Sequence, residues 1–387
     1  MPKNFDFVVV GGGLAGISAA LHLQDKGAEV VLLEASDRLG GRIATDTIDG
    51  FLCDRGFQLI NSKYPSIQAL DVIDELDFLP APRAIEVAVG IKRHVIGDPR
   101  SVPLSVLNRA TGTLSEKLAL IRILLSKPKE NVSIGEVLSV LGSTYDRTLR
   151  PFLHGVFLAD PQLIDAQYGI SILKSFVSGS PGLPRKGIGQ LPLALGKRLH
   201  NVELNTRVER INGDRLFTSA DVIISKKIIV ATDALTAMQL LDCDLETQMT
   251  GCITWYHICD SNPSGTGRLL VDSQPRGPVI NSVVISDISP AYAPEGQNLL
   301  STTSTLGASE SDVKRHLTLM WGVDTRSWQL LAKYEIPLAL PLQTVSKPLS
   351  RSLNLSDSLF LAGDHRSVPS QQGALFSGKL AGELAFN

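Results

Sequence analysis

Residues 7–16, FVVVGGGLAG, and the stretch that follows them to Glu34 decide how this chain folds. Phe7–Val10 is an unbroken aromatic and β-branched run closed by glycines, the pattern of a parallel strand buried on both faces. From Ala15 to Lys26 the pattern turns helical, with Ile17, Leu21 and Leu23 apolar and Gly27 placed to end the helix. Val30–Glu34 (VVLLE) reads as a second buried strand. The spacing predicts strand, glycine loop, helix, strand. Within it, Gly11, Gly13 and Gly16 form G-x-G-x-x-G. Gly11 permits the tight turn out of the strand, Gly13 lets a pyrophosphate approach bare main chain, and Gly16 lets helix and strand pack closely. Leu14 and Ala15 open the helix, whose free N–H groups and positive dipole end face the phosphates. Glu34, followed by Ala35, ends the second strand where a carboxylate accepts ribose hydroxyls and repels a 2′-phosphate. The site holds an ADP-containing dinucleotide, FAD or NAD, and not NADP.

The next stretch, ASDRLGGRIAT (35–45), separates those two. Arg38 and Arg42 flank Gly40 and Gly41. An NAD site has no use for two arginines and a glycine pair here. A flavin site does, because the loop passes beneath the pyrophosphate and ribityl chain, where guanidinium groups neutralise phosphate with directed donors. Ala35–Phe57 as a whole reads as a loop with a function.

The order G-x-G-x-x-G, Glu, R-x-G-G-R resembles the flavin amine oxidase superfamily, which includes amine oxidases, protoporphyrinogen oxidases and phytoene desaturases. The resemblance continues along nearly the whole chain. CDRGFQ (53–58) is similar to the family's D-x-G segment, which implies Gly56, Phe57 and Gln58 beside the flavin. NTRVERI (205–211) resembles the strand whose valine, here Val208, meets the adenine through its backbone. IIVAT (228–232) matches the third cofactor-domain strand. Near the C-terminus, LFLAGD and SQQGALFSGKLAGE resemble the closing motif. There Asp364, after Gly363, implies a ribityl contact, and the helix from about Gly373, with Ala374, points its N-terminus at the isoalloxazine. The cofactor implied is non-covalent FAD.

The substrate is less defined. GDHRSVPSQQGAL contains no Tyr, Trp or Phe to build an aromatic cage for an amine, and GCITWYHI (251–258) has no lysine. The pattern lies closer to phytoene desaturases and protoporphyrinogen oxidases, and RPFLHGVFL (150–158) resembles a segment of desaturase-like proteins. The expected activity is desaturation or oxidation of a largely apolar or conjugated molecule by hydride transfer to flavin N5. The alternatives are an amine oxidase and, in another class, a prenyl- or lipid-binding protein of the GDP-dissociation-inhibitor type, whose loops lack the paired arginines. His365, Arg366 and His154 are the only candidates for a polar catalytic contact, and no catalytic residue is assigned.

Composition fits this reading. The 387 residues suggest two domains, 43% hydrophobic and 20% charged residues suit a globular protein, and a net charge of -2 with 5% aromatic residues argues against nucleic-acid binding. Cys53, Cys243, Cys252 and Cys259 form no C-x-x-C pair, so neither a metal site nor a disulfide framework is expected. No apolar run approaches the roughly 20 residues that span a bilayer. The N-terminus reads as a strand rather than a signal peptide, so a cytoplasmic location is expected, with membrane contact at most peripheral. Leu118–Leu125 (LALIRILL), flanked by Lys117, Lys127 and Lys129, reads as a core helix or tunnel lining rather than a membrane-entry patch.

The expected fold class is α/β: a Rossmann-like FAD-binding domain of the GR2 type with an interleaved α+β substrate domain. The first takes 1–75, 186–245 and 340–387; the second takes 76–185 and 246–339. Residues 131–180 read as mainly helical. Val202–Leu204 and Arg207–Ile211 read as a hairpin, ITWYHI, RLLV, VINSVVI and NLLSTTSTL as antiparallel strands, and 308–332 as helix. Ser358–Ala362 reads as a strand before the last helix.

Overall fold

A computed structural model describes residues 3–128 and 130–387, and Lys129 lies outside the described residues. The opening strand is Lys3–Val10, the helix Leu14–Asp25 and the second strand Val30–Leu33. Gly27, at φ +79, turns the chain after the helix. The opening strand is the centre of the first sheet. It pairs in parallel with Val30–Leu33 on one side and with Val222–Val230 on the other. Val202–Glu203 extends the sheet beyond Val30–Leu33, again in parallel. The strand Val222–Val230 is shared along its length. Its first half pairs with Arg215–Thr218, and Ile228–Val230 pairs in parallel with Leu359–Leu361. Parallel strands covered on both faces explain the unbroken apolar runs VVV, VVLL and IIV.

The helix Leu14–Asp25 and the final helix, Gln371–Phe386, cover one face together. Gly378 meets the Ala15 carbonyl so closely that a Cβ would come within 2.0 Å of it, and Ser18 Oγ donates to the Leu375 carbonyl at 2.7 Å. Small residues at this crossing bring the first and last helices into contact.

The second sheet has seven strands. Their order is Gln329–Pro341, Met249–Cys259, Asn298–Ser304, Val279–Val284, Leu269–Asp272, Ala84–Val89 and Lys92–Gly97. One face packs on the helix Glu310–Trp321 through Trp255, Leu300 and Leu317. Helices Ile134–Ser139, Arg150–Phe157 and Ala166–Ser178 build a further core around Tyr145, Leu153 and Tyr168.

Several expectations need correction. The hairpin proposed for 202–211 does not form. Val202–Glu203 joins the parallel sheet, Asn205 at φ +53 breaks the chain, and Val208–Asn212 pairs with Arg215–Thr218 across the turn containing Gly213. The loop 35–57 contains a hairpin, Thr45–Ile48 with Phe51–Asp54, turned by Asp49 and Gly50, both at positive φ. The helix in 308–332 stops at Trp321, where Gly322 takes the left-handed conformation, and the long strand Gln329–Pro341 begins soon after. Leu269–Asp272 (RLLV) runs antiparallel to Val279–Val284 but parallel to Ala84–Val89. The LALIRILL helix spans Leu114–Leu125 and is not a core helix: none of its residues is buried. No helix among the described residues is long and apolar enough to cross a membrane.

Candidate functional site

A cavity of about 1490 Å³ is lined from both sheets. That is larger than the roughly 300–1,000 Å³ of an ordinary small-molecule pocket and leaves room for two ligands end to end. Its narrow chemistry lies where the opening strand ends. Gly11 holds φ +106, and a Cβ there would meet the Ala231 carbonyl at 2.8 Å; at Gly13 a Cβ would meet nothing within 4 Å. Gly11 therefore serves the fold and Gly13 leaves the main chain open toward the cavity. Leu14 and Ala15 line the cavity at the helix N-terminus, which has no side-chain cap. Its first-turn N–H groups are thus available to an anion. Gly16 does not line the cavity; it packs on the Gly11 carbonyl, where a Cβ would clash at 1.8 Å.

Glu34 and Ala35 line the same end. Glu34 Oε2 accepts from the Gly12 amide at 2.6 Å, and Oε1 accepts from Ser36. The arginine loop packs directly on the glycine loop: the Gly40 amide donates to the Gly12 carbonyl at 2.8 Å, and a Cβ on Gly41 would stand 3.3 Å from Gly13 Cα. Arg38 donates only to the carbonyls of Leu39 and Gly41 and forms no ion pair among the described residues. Burial, and then the charge of Arg55, hold its pKa below the ordinary arginine value. An anion beside it would relieve both. Arg42 behaves differently from the expected phosphate partner. Its guanidinium donates to Asp364 Oδ1 at 2.6 Å and to the Ala339 carbonyl at 2.8 Å.

Gly56, Phe57 and Gln58 line the cavity after the hairpin. Gln58 donates to the Arg42 carbonyl and accepts from Gln371, so it ties the arginine loop to the start of the last helix. Behind this segment Asp54 is fully buried and accepts from Thr45, the Ile188 amide and Tyr292. Burial pushes its pKa up to about 6 despite those donors. Val208 lines the cavity beside Thr206 and Arg207, and Gly363, Asp364, Ser370 and Ala374 close the far side. A free cation, bare main chain at Gly13 and two helix N-termini on one cavity suit the pyrophosphate, ribityl and ring portions of a flavin dinucleotide.

The polar candidates His365, Arg366 and His154 lie outside the cavity lining. His365 is buried against Gly363, and burial lowers its pKa to about 4. Arg366 turns to the Ser352 carbonyl, and burial lowers His154.

The part of the lining drawn from the helical core is apolar, with Leu120, Leu124, Phe152, Val156, Leu173 and Phe176 on its walls. Leu118, Ile121 and Leu125 line the cavity at the surface and are 51%, 53% and 82% exposed. Of the two readings of LALIRILL as a core helix or a cavity lining, the second describes its place. Sequence reasoning missed Asn281, Thr303 and Cys252 on the cavity wall, because the adjacent pair Asn281–Ser282 in VINSVV does not show which of the two faces the cavity.

Comparison with known proteins agrees with this geometry. The family of flavin-containing amine oxidoreductases matches residues 14–384. Protoporphyrinogen oxidase 1 of spinach chloroplasts (Spinacia oleracea) is 26% identical over 305 residues, covering 61% of this chain and 51% of that protein. A carotenoid 3,4-desaturase of Haloarcula japonica is 53% identical over 51 residues, covering 13% of this chain and 10% of that one. The chain thus spans at most about half the length of these curated relatives. An oxidoreductase from Methanosarcina mazei has the same fold, with a TM-score of 0.75 at 17% identity over 97% of this chain and 99% of that one. With its glycine loop, arginine loop and closing helix gathered on one cavity, this chain belongs to the family of flavin-containing amine oxidoreductases.

Proposed function

We propose that this chain is an FAD-dependent oxidoreductase that desaturates or oxidises a largely apolar or conjugated organic molecule. The observation that carries the reading is one cavity lined both by the bare main chain of the glycine loop and by the apolar side chains of the helical core. The cofactor would be held non-covalently by Gly11, Gly13, Leu14 and Ala15 with Gly16 behind them, by Glu34 and Ala35 at the ribose, and by Arg38, Gly40 and Gly41 at the phosphates. Arg42, Gly56, Phe57, Gln58, Val208, Gly363, Asp364 and Ala374 would complete the set. When bound, the flavin supplies a two-electron acceptor for hydride from a substrate carbon.

The chain's own residues then have three tasks. The apolar walls exclude water and hold the reacting C–H bond in place, which is most of what such a reaction needs. The N-terminus of Gln371–Phe386 favours negative charge beside it. Arg38 offsets phosphate charge. In a desaturation the neighbouring carbon also loses a proton, which would pass to water in the cavity or to a polar group on its wall. The amine reading is weaker, because Asp98, a carboxylate on the cavity lining, is already bonded to Arg83 and Arg100. The division into 1–75, 186–245 and 340–387 against 76–185 and 246–339 is supported by the strands of the two large sheets, while the small sheet of Ile60–Asn61, Phe78–Pro80 and Pro181–Pro184 crosses it. A cytoplasmic location with at most peripheral membrane contact is in keeping with the absence of a membrane-crossing helix among the described residues.

The test is a spectrum followed by a reduction. The purified protein should show flavin absorbance, and denaturation should release the chromophore. Anaerobic addition of a polyene or a porphyrinogen should bleach it, and a simple amine should not. A colourless protein that fails to take up added FAD would sink the cofactor reading; rapid bleaching by an amine would reverse the substrate ranking.

A further inference from the structure

The second sheet carries polar side chains on both faces. On the face toward Glu310–Trp321, Ser282 Oγ lies 3.1 Å from Thr302 Oγ1, Trp321 donates to Ser282 and Trp255 donates to Ser304 at 2.8 Å, while the buried His257 makes no hydrogen bond. On the cavity face, Asn281 and Thr303 are register partners on neighbouring strands and both line the cavity. They are 5% and 4% exposed. Neither side chain makes a hydrogen bond to another described residue. The next partner in register, Thr254, has a fully buried hydroxyl that is also without a partner. Opposite them, the helix Arg150–Phe157 presents Gly155, where a Cβ would come within 2.7 Å of Asn281 Nδ2. The glycine leaves the amide uncovered.

An amide and a hydroxyl that line a cavity without a protein partner must be met there by water or by a polar group of a ligand. We infer that Asn281 and Thr303 form a polar recognition point for a carbonyl or hydroxyl group on an otherwise apolar substrate. An amide offers both a donor and an acceptor, and a hydroxyl offers the same. Both groups are neutral and so match a neutral oxygen function. Within an apolar chamber a single such contact fixes which end of a long molecule enters first and hence which carbon reaches the reacting end of the cavity. This rests on the reading of the substrate as largely apolar.

The test uses the flavin-loaded protein and two rigid probes of the same shape, fluorene and 9-fluorenone, with affinities measured by equilibrium dialysis. The ratio of fluorenone to fluorene affinity should fall about fivefold in Asn281→Leu, with fluorene binding kept or improved. Gly155→Ala, which adds a better helix former, should lower the ratio in the same direction and serves if the leucine variant does not fold. An unchanged ratio in a folded Asn281→Leu protein, or in Gly155→Ala where only that variant folds, overturns the assignment. Failure of the unaltered protein to bind fluorene at all overturns the apolar-substrate reading, and the recognition point with it.

Discussion

Arg42 Nη2 stands 2.6 Å from Asp364 Oδ1, joining loops 322 residues apart on the wall of one cavity. The partners are unequally buried, with 37% of the arginine side chain and 6% of the aspartate side chain exposed. Losing the arginine leaves a carboxylate stranded, whereas losing the aspartate lets the arginine turn to solvent or to a phosphate. Arg42→Ala should therefore destabilise the protein by about 1–3 kcal/mol, and Asp364→Ala by clearly less. Urea unfolding of both variants without added flavin checks the asymmetry; equal losses would contradict it.

The glycine loop separates folding from binding. Gly13→Ala meets open space and should leave the melting temperature of the flavin-free protein nearly unchanged while sharply lowering retained flavin. Gly11→Ala combines positive φ with a backbone clash and should lower stability first. The two readouts are thermal melting and the flavin-to-protein absorbance ratio.

Asp54 gives a pH signature. Its pKa is raised to about 6 from an ordinary value of 3.8. The unfolded chain therefore releases this proton at lower pH than the folded one. The stability that the protonated form contributes is complete below about pH 4 and is lost as pH rises through about 6. Relative to Asp54→Asn, the wild-type unfolding free energy should fall by about 2–3 kcal/mol between pH 4 and pH 7. Parallel urea titrations of the two proteins would disprove this by tracking each other across the range.

Lys117 is a further target. Its ammonium donates to the carbonyls of Ser105, Val106 and Asn108 and to Thr111 Oγ1, tying the segment 103–111 to the helix Leu114–Leu125. Burial lowers its pKa. Lys117→Met should speed hydrogen exchange in 103–111 while leaving the first sheet protected. Unchanged exchange there would show that the lysine does not anchor the segment.

The cofactor end was legible because its chemistry is backbone chemistry. A loop that needs positive φ and close approach can be written with few residues other than glycine, so Gly11–Gly16 and Gly40–Gly41 mark themselves. The parallel strands were legible for a similar reason, since VVV and IIV have no polar face. What failed was pairing. Val202–Glu203 carries the same local signal whether it closes a hairpin or adds an edge to a sheet begun at residue 3, and only the Asn205 break decides between them. The strand Gln329–Pro341 was hidden by a run of mixed residues, because few of its side chains are buried. The Leu114–Leu125 helix was read four residues short, although Thr113 and Glu116 form a capping box that marks its start. The cavity wall at VINSVV was not legible, because which face of that strand looks into a cavity depends on its neighbours.

The pairing of Ile228–Val230 with Leu359–Leu361 has a consequence for the order of events during folding. The glycine loop is translated long before the strand that places Asp364 opposite it. Contacts this distant in sequence are slow to form. A nascent chain can close its first strand–helix–strand unit long before the opposite wall of the cavity exists. Tight cofactor capture is thereby deferred until the strand Leu359–Leu361 has been made, and FAD would act as a late lock on the assembled cavity rather than as a template for early folding.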